Sequence, residues 1–162
     1  AARLSGFTIA GEPARPLAVG IAVGTATVEI DDVEIRGAEE AGVRLDEGSR
    51  ALLRASHVHD NLGPGVVVAP TALPRLLHNV VAGNGRGARA GRPGIEMAPG
   101  ASVELFGNIV AANGQMEIAG APPALLQEWQ HTNVIGVPAT TAKPARPGGT
   151  RRVPAPPSPV VR

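Results

Sequence analysis

A four-residue unit recurs along this chain: Gly, then Ile or Val, then any residue, then an aliphatic. It stands at Gly20-Ile21-Ala22-Val23, Gly42-Val43-Arg44-Leu45, Gly65-Val66-Val67-Val68 and Gly94-Ile95-Glu96-Met97, with a degenerate copy at Gln115-Met116-Glu117-Ile118. The steps are 22, 23, 29 and 21 residues, and the long step carries an insertion from Arg86 to Pro93. Self-similarity at such a period marks a chain built from stacked repeats.

Between these copies lies a second unit, a polar residue, two or three mostly aliphatic ones, then Asn or Gly. It reads Ser56-His57-Val58-His59-Asp60-Asn61, Asn79-Val80-Val81-Ala82-Gly83-Asn84 and Asn108-Ile109-Val110-Ala111-Ala112-Asn113, and Asn133-Val134-Ile135-Gly136 starts another. A third apolar segment follows each Gly-Ile-x-Val unit, as in Val28-Glu29-Ile30, Leu52-Leu53, Leu76-Leu77 and Val103-Glu104-Leu105. Each period thus holds three short alternating strands, each burying one face. Three strands and three bends make one turn of a solenoid, with each strand on its copy about 4.8 Å away. Val43, Val66 and Ile95 are then expected in one inward column.

Composition agrees. Hydrophobic residues are 43% of the chain, yet there are two Phe, one Trp and no Tyr, so the core must be stacked aliphatics. The 21 Gly and 16 Pro exclude long helices. The regular leucine frame of leucine-rich repeats and the six-residue period of left-handed β-helices are both absent.

Residues 2–136 resemble the right-handed parallel β-helix repeats of the pectate-lyase-like superfamily. The motifs are Asn-x-Val/Ile-x-x-Asn followed by Gly-Ile/Val-x-Val, as in Asn79 to Asn84 and Gly94 to Met97. The resemblance implies an all-β, right-handed parallel β-helix of about five coils over 1–136. It does not imply one activity, because that superfamily holds lyases, hydrolases, epimerases and non-catalytic proteins.

Residues 121–131 break the strand rhythm. Pro122 and Pro123 can start a short helix with Leu125, Leu126 and Trp129 on one face, a cap or side loop over the last coil. Residues 137–162 are rich in Pro, Ala and Arg without periodicity and read as a disordered tail. The net charge of +1 gives no general attraction to nucleic acid or anionic membrane. No run of apolar residues is long enough to insert in a membrane as a helix. There is no Cys, which excludes thiolate chemistry and disulfides. Ala1 enters directly into strand-like sequence without a signal peptide, so the chain reads as a piece of a larger bacterial protein. The resemblance implies a periplasmic or secreted one. Oligomeric state is not legible.

The candidate residues fall into four groups. Asn79 and Asn108 occupy one place in neighbouring coils, with Ser56 and Asp32 in line, and read as structural together with Gly42, Gly65 and Gly94. His57 and His59 point to one side of a strand with Val58 on the other. With Asp60 they are the strongest local cluster, either surface histidines or part of a metal or general-base site. Glu96 and Glu117 fall at one point of the Gly-Ile-x-Val strand in adjacent coils and are expected to stack outward, with Arg44 two coils earlier. Close carboxylates share cations or do glycoside chemistry, or simply form a solvated face. Arg75 and Glu104 align as an exposed cross-strand ion pair and complete the binding candidates.

Two functions follow. One is a non-catalytic β-helix module, structural or binding polysaccharide or protein along its side, with no cofactor. The other is part of a carbohydrate-active enzyme (polysaccharide lyase, glycoside hydrolase or uronate epimerase) with Glu96, Glu117, His57 and His59 as catalytic candidates and calcium as its cofactor. The Ala- and Val-rich outward positions favour the first.

Overall fold

The structure is a computed structural model that describes residues 2–86 and 91–136. The middle of the insertion, 87–90, and the tail, 137–162, lie outside the described residues. In chain order the elements are β1 (Ala2–Ala10), β2 (Leu17–Val23), β3 (Thr27–Arg36), β4 (Ala38–Leu45), β5 (Arg50–Arg54), β6 (His57–His59), β7 (Val66–Val68), β8 (Arg75–Leu77), β9 (Val80–Ala82), β10 (Ile95–Met97), β11 (Glu104–Phe106), β12 (Ile109–Ala111), β13 (Ile118–Ala119), α1 (Pro123–Trp129) and β14 (Val134–Ile135).

Every strand pairs in parallel with its copy one turn away, giving three faces. Face A stacks β2, β4, β7, β10 and β13. Face B stacks the first half of β1 and of β3, then β5, β8 and β11; face C stacks their second halves, then β6, β9, β12 and β14. Because β1 and β3 bend through both, faces B and C form one nine-stranded sheet. Faces A and B hold five strands each and face C six, so the expected five coils are full turns with a partial turn added at the ends.

The alternation in each strand sets what faces inward. Val43 pairs with Val66 and Val66 with Ile95, all three completely buried. Face B contributes Ile30, Leu53, Leu76 and Leu105 in register, and face C contributes Ile35, Val58, Val81 and Val110. The core is a stack of aliphatic side chains meeting like on like, each contributing roughly 1.5–3 kcal/mol on burial.

The bends carry the polar part of the interior. At the bend between faces B and C, one left-handed residue per turn stands in register: Gly6, Asp32, Ala55, His78 and Gly107, with φ between 47° and 74°. The residue after it points inward. Ser56, Asn79, Asn108 and Asn133 stack there, each backbone N–H donating to the next side-chain oxygen: Ser56 to Asn79 at 3.0 Å, Asn79 to Asn108 at 2.9 Å, Asn108 to Asn133 at 2.9 Å. Asp32 is therefore not in this ladder, because it holds the left-handed position. The ladder instead begins at the Val33 amide, which donates to Ser56 Oγ at 3.2 Å.

A second ladder fills the bend between faces C and A: the Ala38 amide, then Asn61, Asn84 and Asn113. It explains the glycines of the repeat. A Cβ on Gly42 would lie 2.7 Å from Asn61 Nδ2, and one on Gly65 would lie 2.7 Å from Asn84 Nδ2; Gly94 meets Asn113 in the same way. These glycines leave room for an asparagine rather than supplying an unusual φ.

In the last turn α1 takes the place of a face B strand. Pro122 sets its start, Trp129 is 5% exposed in the core, and Leu125 and Leu126 pack beside it. At the opposite end Leu4 and Phe7 of β1 point inward, yet each is 38% exposed.

Candidate functional site

Outward-facing side chains sort by turn. On face C, Thr8, Glu34, His57, Val80, Ile109 and Val134 form one column. His57 and His59 flank the buried Val58, and their rings stack with centroids 4.0 Å apart and planes 29° from parallel. His59 is held on both sides: Nδ1 faces Asp60 Oδ2 at 2.8 Å and Nε2 faces Glu34 Oε1 at 3.0 Å. Only an imidazolium donates to both at once. Thr8 Oγ1 donates to the other Glu34 oxygen at 3.0 Å, and Arg36 Nε stands 3.5 Å from Oε1.

The electrostatics follow from these contacts. The hydrogen bond from His59, then that from Thr8, holds the Glu34 carboxyl below the usual range. Burial, then repulsion from His59, pushes His57 below the ordinary imidazole value against the pull of Glu34 and Asp60. His57, His59 and Asp60 thus belong to a five-residue cluster with Glu34 and Thr8. Glu34 was hidden in the sequence because it sits 25 residues from His59. Among the described residues no three His, Cys, Asp or Glu side chains are arranged to hold a metal ion.

On face B the charges of the first turns close on each other. Asp31 accepts from Arg3 and from Arg54, the latter at 3.1 Å, and Arg54 also reaches Glu29 at 2.9 Å. The Arg3 hydrogen bond, then that of Arg54, keeps the Asp31 carboxyl low against the opposing effect of its burial. Further along, Arg75 pairs with Glu104 through two bonds, at 2.7 and 3.2 Å, and the strands align these residues. The pair lowers the Glu104 carboxyl and raises the Arg75 guanidinium.

On face A the outward column is Ala22, Arg44, Val67, Glu96 and Ala119. Arg44 turns to Asp46 at 3.1 Å and Glu96 to Arg92 at 3.0 Å. Val67 separates Arg44 from Glu96 by two strand spacings, about 10 Å.

The expected stacking of Glu96 on Glu117 does not occur. Ile118, not Met116, pairs with Ile95, so Glu117 falls opposite Gly94 and Ala119 opposite Glu96. Glu117 Oε2 instead accepts from Asn113 Nδ2 at 2.6 Å and from the Asn113 amide at 3.3 Å. It stands where the next asparagine of the ladder would, and it closes that ladder with a carboxylate. The other candidates are likewise not gathered: Arg75 and Glu104 lie on face B, His57 and His59 on face C, Arg44 and Glu96 on face A.

Among the described residues no helix is long and apolar enough to cross a membrane. No curated protein and no solved structure gives a significant match to the chain. The family described as "Right handed beta helix region" matches residues 8–123, most of the chain and all the turns from β2 to β13. The stacked parallel strands agree with that match, and the chain belongs to the right-handed β-helix family.

Proposed function

We propose that the chain is a non-catalytic β-helix module, part of a larger extracytoplasmic protein, that binds polysaccharide or protein along its side. The observation that carries this reading is the pairing of outward charges found on each of the three faces, with Glu39, Glu40 and Arg50 among the strand-borne exceptions in the described residues. The carboxylates that would do acid–base work are already bound: Glu117 to Asn113, Glu104 to Arg75, Asp31 to Arg54, Glu96 to Arg92. A rigid face of paired charges and small apolar groups suits docking rather than bond cleavage. The contact patch is the face C cluster, where the stacked His57 and His59 rings lie beside Glu34 and Asp60. Planar rings flanked by carboxylates suit the apolar faces and hydroxyls of a sugar.

The test is a glycan-binding screen with the full chain, beside His57→Ala plus His59→Ala. Retained binding in the variant removes the patch from the proposal. Turnover of uronate polymers, with or without calcium, would replace it with the carbohydrate-active reading, for which His57, whose ring nitrogens have no hydrogen-bond partner among the described residues, is the acid–base candidate.

A further inference from the structure

Because α1 replaces a face B strand in the last turn, β11 has a strand on one side only. A groove of about 450 Å³ runs along its open side, with Leu105, Phe106, Leu125 and Trp129 among its walls and Glu104 and Glu128 beside them. The Glu104 amide donates to Pro74 and the Phe106 carbonyl accepts from His78, so both residues turn their backbone toward β8. Leu105, between them, turns its backbone toward the groove. Its carbonyl accepts from Asn133 Nδ2 at 3.2 Å, and its N–H has no acceptor among the described residues. An unpaired strand edge with an apolar floor is a template for one more extended segment.

We propose that residues Pro159–Arg162 of this chain dock in that groove as an added strand beside β11. Three observations select this segment. The 26 residues of 137–162 carry five basic side chains and no acidic one, matching the carboxylate of Glu128 in the groove wall. Glu128 has no ion-pair partner among the described residues. Within 137–162 only Val160-Val161 joins two β-branched apolar residues, and Pro159 before them needs no ladder partner. Laid antiparallel, Val161 meets Leu105 and faces Leu125 and Trp129, Val160 meets Phe106, and the Arg162 guanidinium is left for the unpaired Glu128, since Glu104 is already held by Arg75. The 23 residues between Gly136 and Val160 reach up to about 70 Å as an extended polyproline-type chain, far more than the few turns to be crossed.

The proposal is independent of the face C patch, and its test needs no ligand. Amide exchange at Leu105 is followed in the full chain, with Trp129, the single tryptophan, as a fluorescence reporter. The Leu105 amide is expected to exchange at least tenfold faster in Val161→Asp, with a shift in Trp129 emission and unchanged far-UV dichroism. Glu128→Arg should speed exchange as well, and Glu128→Arg with Arg162→Glu should slow it again. Exchange at Leu105 indifferent to Val161→Asp overturns the proposal. So does protection that rises with protein concentration, which would place a second copy in the groove.

Discussion

Asn84 Oδ1 accepts two hydrogen bonds from Asn61, one turn away: from the backbone amide at 3.2 Å and from Nδ2 at 2.8 Å. Asn84 Nδ2 then gives one proton back to Val58 O and the other forward to Asn113 Oδ1. One buried side chain thereby ties three successive turns and leaves none of its polar atoms unpaired. Replacing it by Ala orphans groups on both neighbours at once. Asn84→Ala should cost about 3 kcal/mol, read as a shift of the urea midpoint. Asn84→Asp should cost a similar amount, because a carboxylate cannot donate to Asn113. A loss no larger than that of an exposed Asn would sink the ladder's role.

Gly65 is the counterpart of that side chain. A Cβ there lies 2.7 Å from Asn84 Nδ2 and from Val81 Cγ1, and 2.8 Å from Gly94 O. Gly65→Ala should destabilise by about 1–3 kcal/mol through overpacking. Gly24→Ala, where a Cβ meets nothing within 4 Å, is the control and should be near neutral.

Glu117 supplies an acceptor where the asparagines end. Glu117→Gln keeps a carbonyl oxygen for Asn113 and should change stability little. Glu117→Ala removes it and should cost about 1–2 kcal/mol. Equal losses in the two variants would mean that the residue acts by volume and not by its oxygen.

Acid should loosen the fold in two stages. His57 has a folded pKa below the ordinary imidazole value of 6.5, so the unfolded chain takes up its proton first. The stability this contributes is complete above 6.5 and is lost as pH falls below it toward the lower folded value. Asp31, Glu34 and Glu104 are also depressed, from 3.8, 4.5 and 4.5. Their contribution is complete above those values and is lost as pH falls through the lower folded pKa values. Thermal melts between pH 8 and pH 3 should show both stages, and His57→Gln should erase the upper one alone. An upper stage that persists in the variant would assign it elsewhere.

The coil architecture was legible because its period is written in chemistry. Gly42, Gly65 and Gly94 recur where an asparagine needs space, and Val43, Val66 and Ile95 follow them into the core. Register at the end of the stack was not legible in the same way. Met116 and Ile118 have the same parity, so a slip of two residues keeps the right side inward, and alternation cannot tell the two alignments apart. Only the pairing of Ile118 with Ile95 decides it, and that pairing puts Ala119, not Glu117, beside Glu96. The second asparagine ladder was signalled by the five-residue spacing of Asn79 to Asn84 and Asn108 to Asn113. The face C cluster was half visible: His57 and His59 are neighbours in the chain, whereas the carboxylate that anchors them comes from the previous turn.

Both asparagine ladders run one way. Donors at Val33 and Ala38 open them, and oxygens on Asn133 and Glu117 end them. The rod therefore has a chemical head and tail, like a row of hooks and eyes. Whole turns can be spliced in or cut out along it only in the same orientation, because a reversed turn would set donor against donor at one junction and oxygen against oxygen at the other.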